Sequence, residues 1–257
     1  MTGVQTCALP ISGIEDFVIL ERSGGTGGTW FNNRYPGLSC DIPSHLYSFS
    51  FELKPDWSRP YAGHAEIRAY MQNCVDKYGI ASHIRFNTGI ASARWDDAHC
   101  EWHLNTVDDQ RIVADVFISA LGMFNEIQWP DIAGLKDFKA RMLHTALWPE
   151  GVDLRGKTVA VIGSAASAVQ LIPEVAREAK QLFVYQRTAN WVMPKEDTPY
   201  SEEQLQQMRS DPSIGRKIRE EQFAFYELLM LFDKPEMMAD VKKMALDNLH
   251  KIGRAHV

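Results

Sequence analysis

Short apolar runs and alternating stretches come first along this chain, and helical periodicity dominates its end. The run FVIL (17–20) closes on Glu21 and a glycine-rich turn, GGTGGTW (24–30), and reads as a buried strand with an acid at its tip. Residues 64–78 place Ile67, Tyr70, Met71, Cys74, Val75 and Tyr78 on one face at helical spacing. HIRFN (83–87), GIASARW (89–95), EWHLNTV (101–107) and RIVADVFISALG (111–122) follow as strands, with Asp108-Asp109 as the hairpin turn between the last two. A second unit starts afresh with GKTVAVIGSAASAVQLIPEVAREA (156–179): a buried strand, a glycine-containing turn and an amphipathic helix, with QLFVYQR (181–187) as the next strand. Beyond Pro199 the pattern is helical. Ser201 with Gln204 fits a capping box, and the apolar residues of 219–250 recur at helical spacing.

This order predicts an α/β fold with two Rossmann-like dinucleotide-binding domains, each present only in part. In such a unit a G-x-G-x-x-G loop lies roughly 20 residues before the acid that ends the second strand. The residues ahead of Glu21 do not supply that loop.

Composition changes the picture little. The 257 residues are 45% hydrophobic and 23% charged, which is globular composition with room for one large or two modest domains. A formal net charge of −6 without a dense Lys/Arg run argues against nucleic acid or an anionic membrane as partner. No apolar stretch reaches the roughly 18–20 residues of a membrane span. The opening CALPI lacks the length and basic flank of a secretory signal. Cys7, Cys40, Cys74 and Cys100 form no C-x-x-C pair or metal-ligand spacing, so a reducing, cytoplasmic compartment and no metal are expected.

The two ends read differently from the interior. MTGVQTCALPI and IGRAHV resemble translations of one sequencing-library adapter taken from opposite strands. The DNA ATC GGA AGA GCA CAC GTC encodes Ile252–Val257, and its reverse complement, in a shifted frame, runs through codons for Gln5–Pro10. The other reading is that both are ordinary termini. On the adapter reading, residues 1–12 and 252–257 are foreign, Cys7 included, and 13–251 are an internal piece of a longer protein.

Three constellations carry chemistry. Glu21 stands where a carboxylate could accept hydrogen bonds from both ribose hydroxyls of an adenosine, or where it could be a solvated acid at a strand end. The glycines after it, Gly28 among them, allow backbone to approach a ligand. Gly163–Ala168 matches G-x-G-x-x-A with Ala165 in place of the middle glycine, a turn that aims helix N–H groups at a pyrophosphate. The strand after it ends in Arg187, which suits a 2′-phosphate and hence NADP, or is a surface arginine. Between the units FKARMLHTALWP holds Phe138, Ala140, His144, Trp148 and Pro149; alone, such a histidine is more often a packed, satisfied residue than a catalyst.

Together these residues resemble the flavin-dependent Baeyer–Villiger monooxygenases. The family's linker pattern, F-x-G-x-x-x-H-x-x-x-W-[P/D], stands here as Phe138, His144, Trp148 and Pro149, with Ala140 replacing its glycine. The resemblance covers nearly all of 17–195. It includes GGTWFNNRYPGLSCDIPSHLYSFSF, EIRAY, ISALGMFNEIQWPDIAGL, GSAASAVQLIPEVA and VYQRTANWVMP.

The resemblance implies that Glu21 holds the FAD ribose, that Thr29, Trp30 and Asn32 line the flavin, and that Tyr47 touches it. It implies that Asp41 is the acid beside the isoalloxazine and that Ser39 and Cys40 lie where the nicotinamide end of NADP passes. Gly163, Ser164, Ala165, Ala166, Ser167, Ala168 and Gln170 would cradle the NADP pyrophosphate, with Arg187 and Thr188 at its 2′-phosphate. His144 would couple domain movement to catalysis without being a direct acid or base. The implied reaction uses FAD, NADPH and O2 to insert one oxygen atom into a ketone, giving an ester or lactone by way of a flavin C4a-peroxide.

The implied domains are a partial FAD-binding domain at 13–137, a linker at 138–150, and a partial NADP-binding domain with a helical insertion at 151–251. The arginine that pairs with the Asp41 acid in the family is expected from a later segment, so this polypeptide by itself is expected to be inactive. The sequence leaves open which ketone is used and the oligomeric state. Rival readings are a flavin monooxygenase acting on nitrogen or sulfur, a non-catalytic dinucleotide-binding protein, for which Ala140 and Ala165 speak, and a complete single-fold binding module.

Overall fold

In the computed structural model, which describes residues 12–124, 126–188, 190–229 and 235–252, the chain divides by its packing into two units. One is formed by residues up to Tyr35 together with His64–Val152, the other by Pro36–Gly63 together with the residues from Asp153 on. The adapter-like ends, but for Ser12 and Ile252, lie outside the described residues, as do Cys7, Asn125 and Ala189.

In the first unit β1 (Ile19–Leu20) pairs in parallel with β2 (Ile84–Arg85), Ile19 opposite Ile84 and Leu20 opposite Arg85. Between them in sequence lie a single turn, α1 (Thr29–Asn32), and α2 (His64–Lys77). Helix α2 buries Ile67, Tyr70, Met71, Cys74 and Val75, the face its spacing predicts. It ends at Gly79, whose φ of +66° suits the left-handed position after a helix. A three-stranded antiparallel meander follows: β3 (Ile90–Asp96), β4 (Glu101–Thr106) and β5 (Arg111–Ala114). Trp95 and Trp102 face each other across β3–β4 with ring centroids 5.6 Å apart, a cross-strand pair that fixes register. The hairpin turn lies where Asp108-Asp109 predicts it. Asp109 has φ +62°, and the buried Thr106 hydroxyl accepts the Gln110 N–H at 2.9 Å.

The apolar run 111–122 is only one-third strand. β5 stops at Ala114, and 115–122 are irregular, with Val116 74% and Leu121 65% exposed. An apolar run becomes a buried strand only where another strand takes its N–H and C=O groups. Among the described residues none pairs with 115–122. The FVIL and HIRFN runs are shortened to two-residue strands for the same reason.

In the second unit β6 (Thr158–Ile162) and β7 (Gln181–Tyr185) pair in parallel through five residues, Thr158 opposite Gln181 to Ile162 opposite Tyr185. They are joined through α3 (Ala166–Glu178), which buries Ala168, Leu171 and Val175. This is the strand–turn–helix–strand unit read from 156–187. The helices α4 (Glu202–Ser210), α5 (Pro212–Leu229) and α6 (Pro235–Ile252) complete it. The capping box forms: Ser201 Oγ accepts the Gln204 N–H, and Gln204 Oε1 accepts the Ser201 N–H at 2.8 Å. Both α5 and α6 begin on proline, which has no N–H to leave unpaired at a first turn.

Residues 36–63 carry almost no regular structure yet hold much of this unit's core, with Trp57 and Ala62 at 1% and 0% exposure. Polar groups hold the segment in place of a ladder. Ser44 Oγ accepts the Ala62 N–H at 2.8 Å and donates to the Pro60 carbonyl at 2.9 Å. The Arg219 guanidinium on α5 donates to the carbonyls of His45, Leu46 and Ser48 at 2.8–3.0 Å. Among the described residues no helix is long and apolar enough to cross a membrane.

Candidate functional site

In the first unit the candidate residues gather in the loop after β1. The Glu21 N–H continues the β1–β2 ladder to the Arg85 carbonyl at 3.0 Å. Its carboxylate Oε1 accepts the Ser23 N–H at 2.7 Å, and the Ser23 hydroxyl donates to Asn32 Oδ1 at 3.0 Å. Gly27 and Gly28 have φ of +116° and +52°, a path that side-chain-bearing residues rarely take, and they lead directly into α1. Trp30 is buried at the head of that turn, and the guanidinium groups of Arg34 and Arg68 lie over the Phe31 ring, 5.4 and 4.6 Å from its centroid. Glu21, Gly28, Thr29, Trp30 and Asn32 thus belong to one loop. The adjacent His64 has its pKa lowered by burial and by Arg34 and Arg68.

His144, in the same unit, precedes a 3-10 turn at Thr145–Leu147. Its Nδ1 accepts the Ala146 N–H at 3.2 Å, and its ring meets Trp129 edge-on, centroids 5.2 Å apart. The side chain closes a turn here, as a packed histidine does.

In the second unit the segment Ser39–Asp41 is tied to α3 by one side chain. Gln170 Nε2 donates to the Ser39 carbonyl at 2.9 Å and to Asp41 Oδ1 at 3.0 Å, and its Oε1 faces the Ser39 N–H at 3.4 Å. Gly37, with φ +79°, lies directly on the α3 backbone: a Cβ there would stand 2.4 Å from the Gln170 carbonyl oxygen. The Cys40 N–H donates to the Ala62 carbonyl at 3.1 Å, and burial pushes its thiol pKa up. Tyr47 sits in the next turn, its N–H on the Pro43 carbonyl at 2.8 Å.

Gly163 has φ +114° and open space where a Cβ would project, and its N–H donates to the Tyr185 carbonyl at 2.9 Å. Ala165 precedes α3 in an extended conformation and provides no side-chain cap for it. Asn190 Nδ2 donates to the Ser164 carbonyl at 2.7 Å and to its Oγ at 3.1 Å. That bond ties the stretch after β7, with exposed Arg187 and Thr188, to the Gly163 turn.

The sequence reading missed Lys195. Its Nζ donates to the Cys40 carbonyl at 3.0 Å and to Ser39 Oγ at 3.2 Å, lies 3.7 Å from Asp41 Oδ1, and sits 4.4 Å from the centroid of the Tyr61 ring. Tyr61 shares a hydrogen bond with Tyr226, whose pKa burial pushes up to about 12. No motif marks these three residues; a lone lysine after Pro194 carries no local signal.

A strand–glycine turn–helix–strand unit, and a second glycine-rich loop behind an acid, are the architecture of the dinucleotide-binding α/β folds. Residues 39–224 match the family model described as FMO-like, flavin-binding monooxygenase-like, and the chain belongs to that family. It is similar to a Baeyer–Villiger monooxygenase of Pseudomonas aeruginosa, 37% identical over 241 residues, which are 93% of this chain and 46% of that protein. The chain therefore spans about half the length of the curated relatives it matches. Among solved structures it is similar to an open crystal structure of cyclohexanone monooxygenase, with TM-score 0.76 and 32% identity over 82% of this chain and 42% of that one. It is also similar to OTEMO in complex with FAD and NADP, with TM-score 0.74 and 34% identity over 81% and 41%. The family resemblance and the α/β class read from the sequence are both borne out.

Proposed function

We propose that this chain is part of an FAD- and NADPH-dependent monooxygenase that inserts one oxygen atom of O2 into a ketone, giving an ester or lactone. The observation that carries it is the placement of Asp41 on Gln170, one turn along α3 from the Gly163 turn. This sets a carboxylate beside a dinucleotide-type helix start, and similarity to a Baeyer–Villiger monooxygenase and to a structure holding FAD and NADP supports it.

The residues fit both cofactors. Glu21 spends only one carboxylate oxygen on Ser23, so among the described residues the other is open to a ribose hydroxyl of FAD, with Gly28, Thr29, Trp30 and Asn32 along the same loop. Gly163 has room for a phosphate against its backbone, and Ala165 places no capping side chain at the start of α3, where the NADP pyrophosphate would lie. Bound there, the cofactors supply hydride transfer and oxygen activation. Asp41 offers an anionic acceptor held in place by Gln170, and Ser39 and Cys40 present the backbone beside it. Arg187 and Thr188 take the 2′-phosphate.

Residues 13–137, 138–150 and 151–251 serve in this proposal as FAD part, linker and NADP part, with His144 positioning the linker through its turn. A cytoplasmic setting belongs to the same proposal, supported by Cys40, Cys74 and Cys100 being outside any disulfide among the described residues.

Two measurements test it. Arg187→Ala is expected to weaken NADP+ binding roughly 10- to 100-fold with NAD+ binding unchanged, the loss of one or two charge-assisted hydrogen bonds. Equal weakening of both nucleotides by calorimetry would remove Arg187 from the phosphate site. The polypeptide that the native gene encodes, reconstituted with FAD, is expected to oxidise NADPH and convert a cyclic ketone to a lactone carrying one label from 18O2. Oxygenation of thioethers alone would point to a nitrogen- or sulfur-oxidising enzyme, and nucleotide binding without turnover to a binding protein.

A further inference from the structure

We propose that Lys195 is a recognition residue for a primary carboxamide, which it holds against Asp41, so that this pair reads the nicotinamide end of the dinucleotide. The inference rests on the NADP reading above and adds to it a residue that no motif points to.

The argument is one of donors and acceptors. An ammonium has three donors and no acceptor, an ionised carboxylate only acceptors. Two Lys195 donors are committed, to the Cys40 carbonyl at 3.0 Å and to Ser39 Oγ at 3.2 Å. Asp41 Oδ1 lies 3.7 Å from Nζ, within ion-pair distance and beyond a hydrogen bond, so the third donor is not spent on it. Oδ1 is already held by Gln170 at 3.0 Å, and among the described residues Oδ2 has no partner. The Asp41 side chain is 61% exposed and that of Lys195 34%, so both unspent positions are reachable. A donor and an acceptor stand side by side.

A primary carboxamide offers the reverse pair on adjacent atoms: its carbonyl accepts from Lys195 while its NH2 donates to Asp41. A free carboxylic acid, ionised at neutral pH, would satisfy Lys195 but be repelled by Asp41. An ammonium ligand would be repelled by Lys195. A simple carbonyl would use Lys195 alone.

The pair is also held rigidly enough to discriminate. Lys195 is supported by the Tyr61 ring at 4.4 Å, and Tyr61 by its hydrogen bond to Tyr226 and by Asp197, whose Oδ1 accepts the Tyr61 N–H at 3.0 Å. Asp41 is supported by Gln170 on α3, about 6 Å along the helix axis from its first residue.

The test is calorimetric titration of the 257-residue chain, and of Lys195→Met and Lys195→Arg, with three probes. These are NADP+, its nicotinic-acid analogue, and 2′-phospho-ADP-ribose, which lacks the pyridine ring. Wild type is expected to bind NADP+ more tightly than the acid analogue. Lys195→Met is expected to lose roughly tenfold toward NADP+ with 2′-phospho-ADP-ribose unchanged, and Lys195→Arg to recover part of the loss. Equal loss for NADP+ and 2′-phospho-ADP-ribose, or no loss for either, would overturn the inference and leave the NADP reading standing. Wild-type binding of neither would overturn both.

Discussion

Gly37→Ala is expected to destabilise the unit formed by Pro36–Gly63 and the residues from Asp153 on by about 4 kcal/mol, the sum of overpacking and a left-handed backbone. The added methyl would lie 2.4 Å from the Gln170 carbonyl oxygen and 3.1 Å from the Glu174 Cγ. The first of these is helix backbone, which cannot rotate away as a side-chain end can. The φ of +79° adds a cost that alanine cannot avoid without leaving the turn. Relief requires the chain at 37 to lift from α3, and that breaks the Gln170 bonds to Ser39 and Asp41. The variant should therefore unfold at lower urea and lose NADP+ affinity together. Unfolding at the wild-type midpoint would show that Gly37 is not the contact described.

A pH dependence of about 3 kcal/mol is expected from His45. Burial, reinforced by the charge of Lys54, lowers its pKa from 6.5 to about 4, and its buried Nε2 has no hydrogen-bond partner. The folded unit thus keeps His45 neutral where the unfolded chain protonates it. Stability is unaffected above pH 6.5, falls as pH drops from 6.5 toward 4, and flattens below, where both states are protonated. Carboxylates titrate in part of the same window, so the comparison that isolates His45 is with His45→Phe. A Cβ added at Gly215 of α5 would stand 3.4 Å from the imidazole, so the ring lies close to that glycine, and a ring of similar shape sacrifices no bond at Nε2. The variant should lose less stability between pH 6.5 and 4 than wild type. Parallel urea-derived stabilities across that range would refute a buried neutral His45.

What the sequence disclosed and what it withheld divide along physical lines. Helix α2 was legible because its apolar face is a local pattern, and the 108–109 turn and the Ser201–Gln204 box because their bonds close within a few residues. The run 111–122 was overread because a strand is a property of its neighbours as well as of its residues. Gln170 and Asp41 were each legible as candidates, but their bond spans 129 positions, and no local pattern encodes it. The grouping of 36–63 with the residues from Asp153 on is of the same kind, resting on Gly37, Ser44 and Arg219 and on no periodicity. Lys195 was invisible because its meaning lies in what it faces. His144 was found by its motif, while its use as a turn cap follows from geometry the motif does not contain.

The central claim, that the unit containing β6, α3 and β7 holds NADP with its reactive end at Asp41, is tested most directly by hydrogen exchange of the chain with and without saturating NADP+. The account predicts slowed exchange in peptides covering 163–170, 187–188 and 39–41, with the last of these unprotected when 2′-phospho-ADP-ribose is used instead. Protection confined to other segments, or none at a concentration that saturates binding, would contradict it.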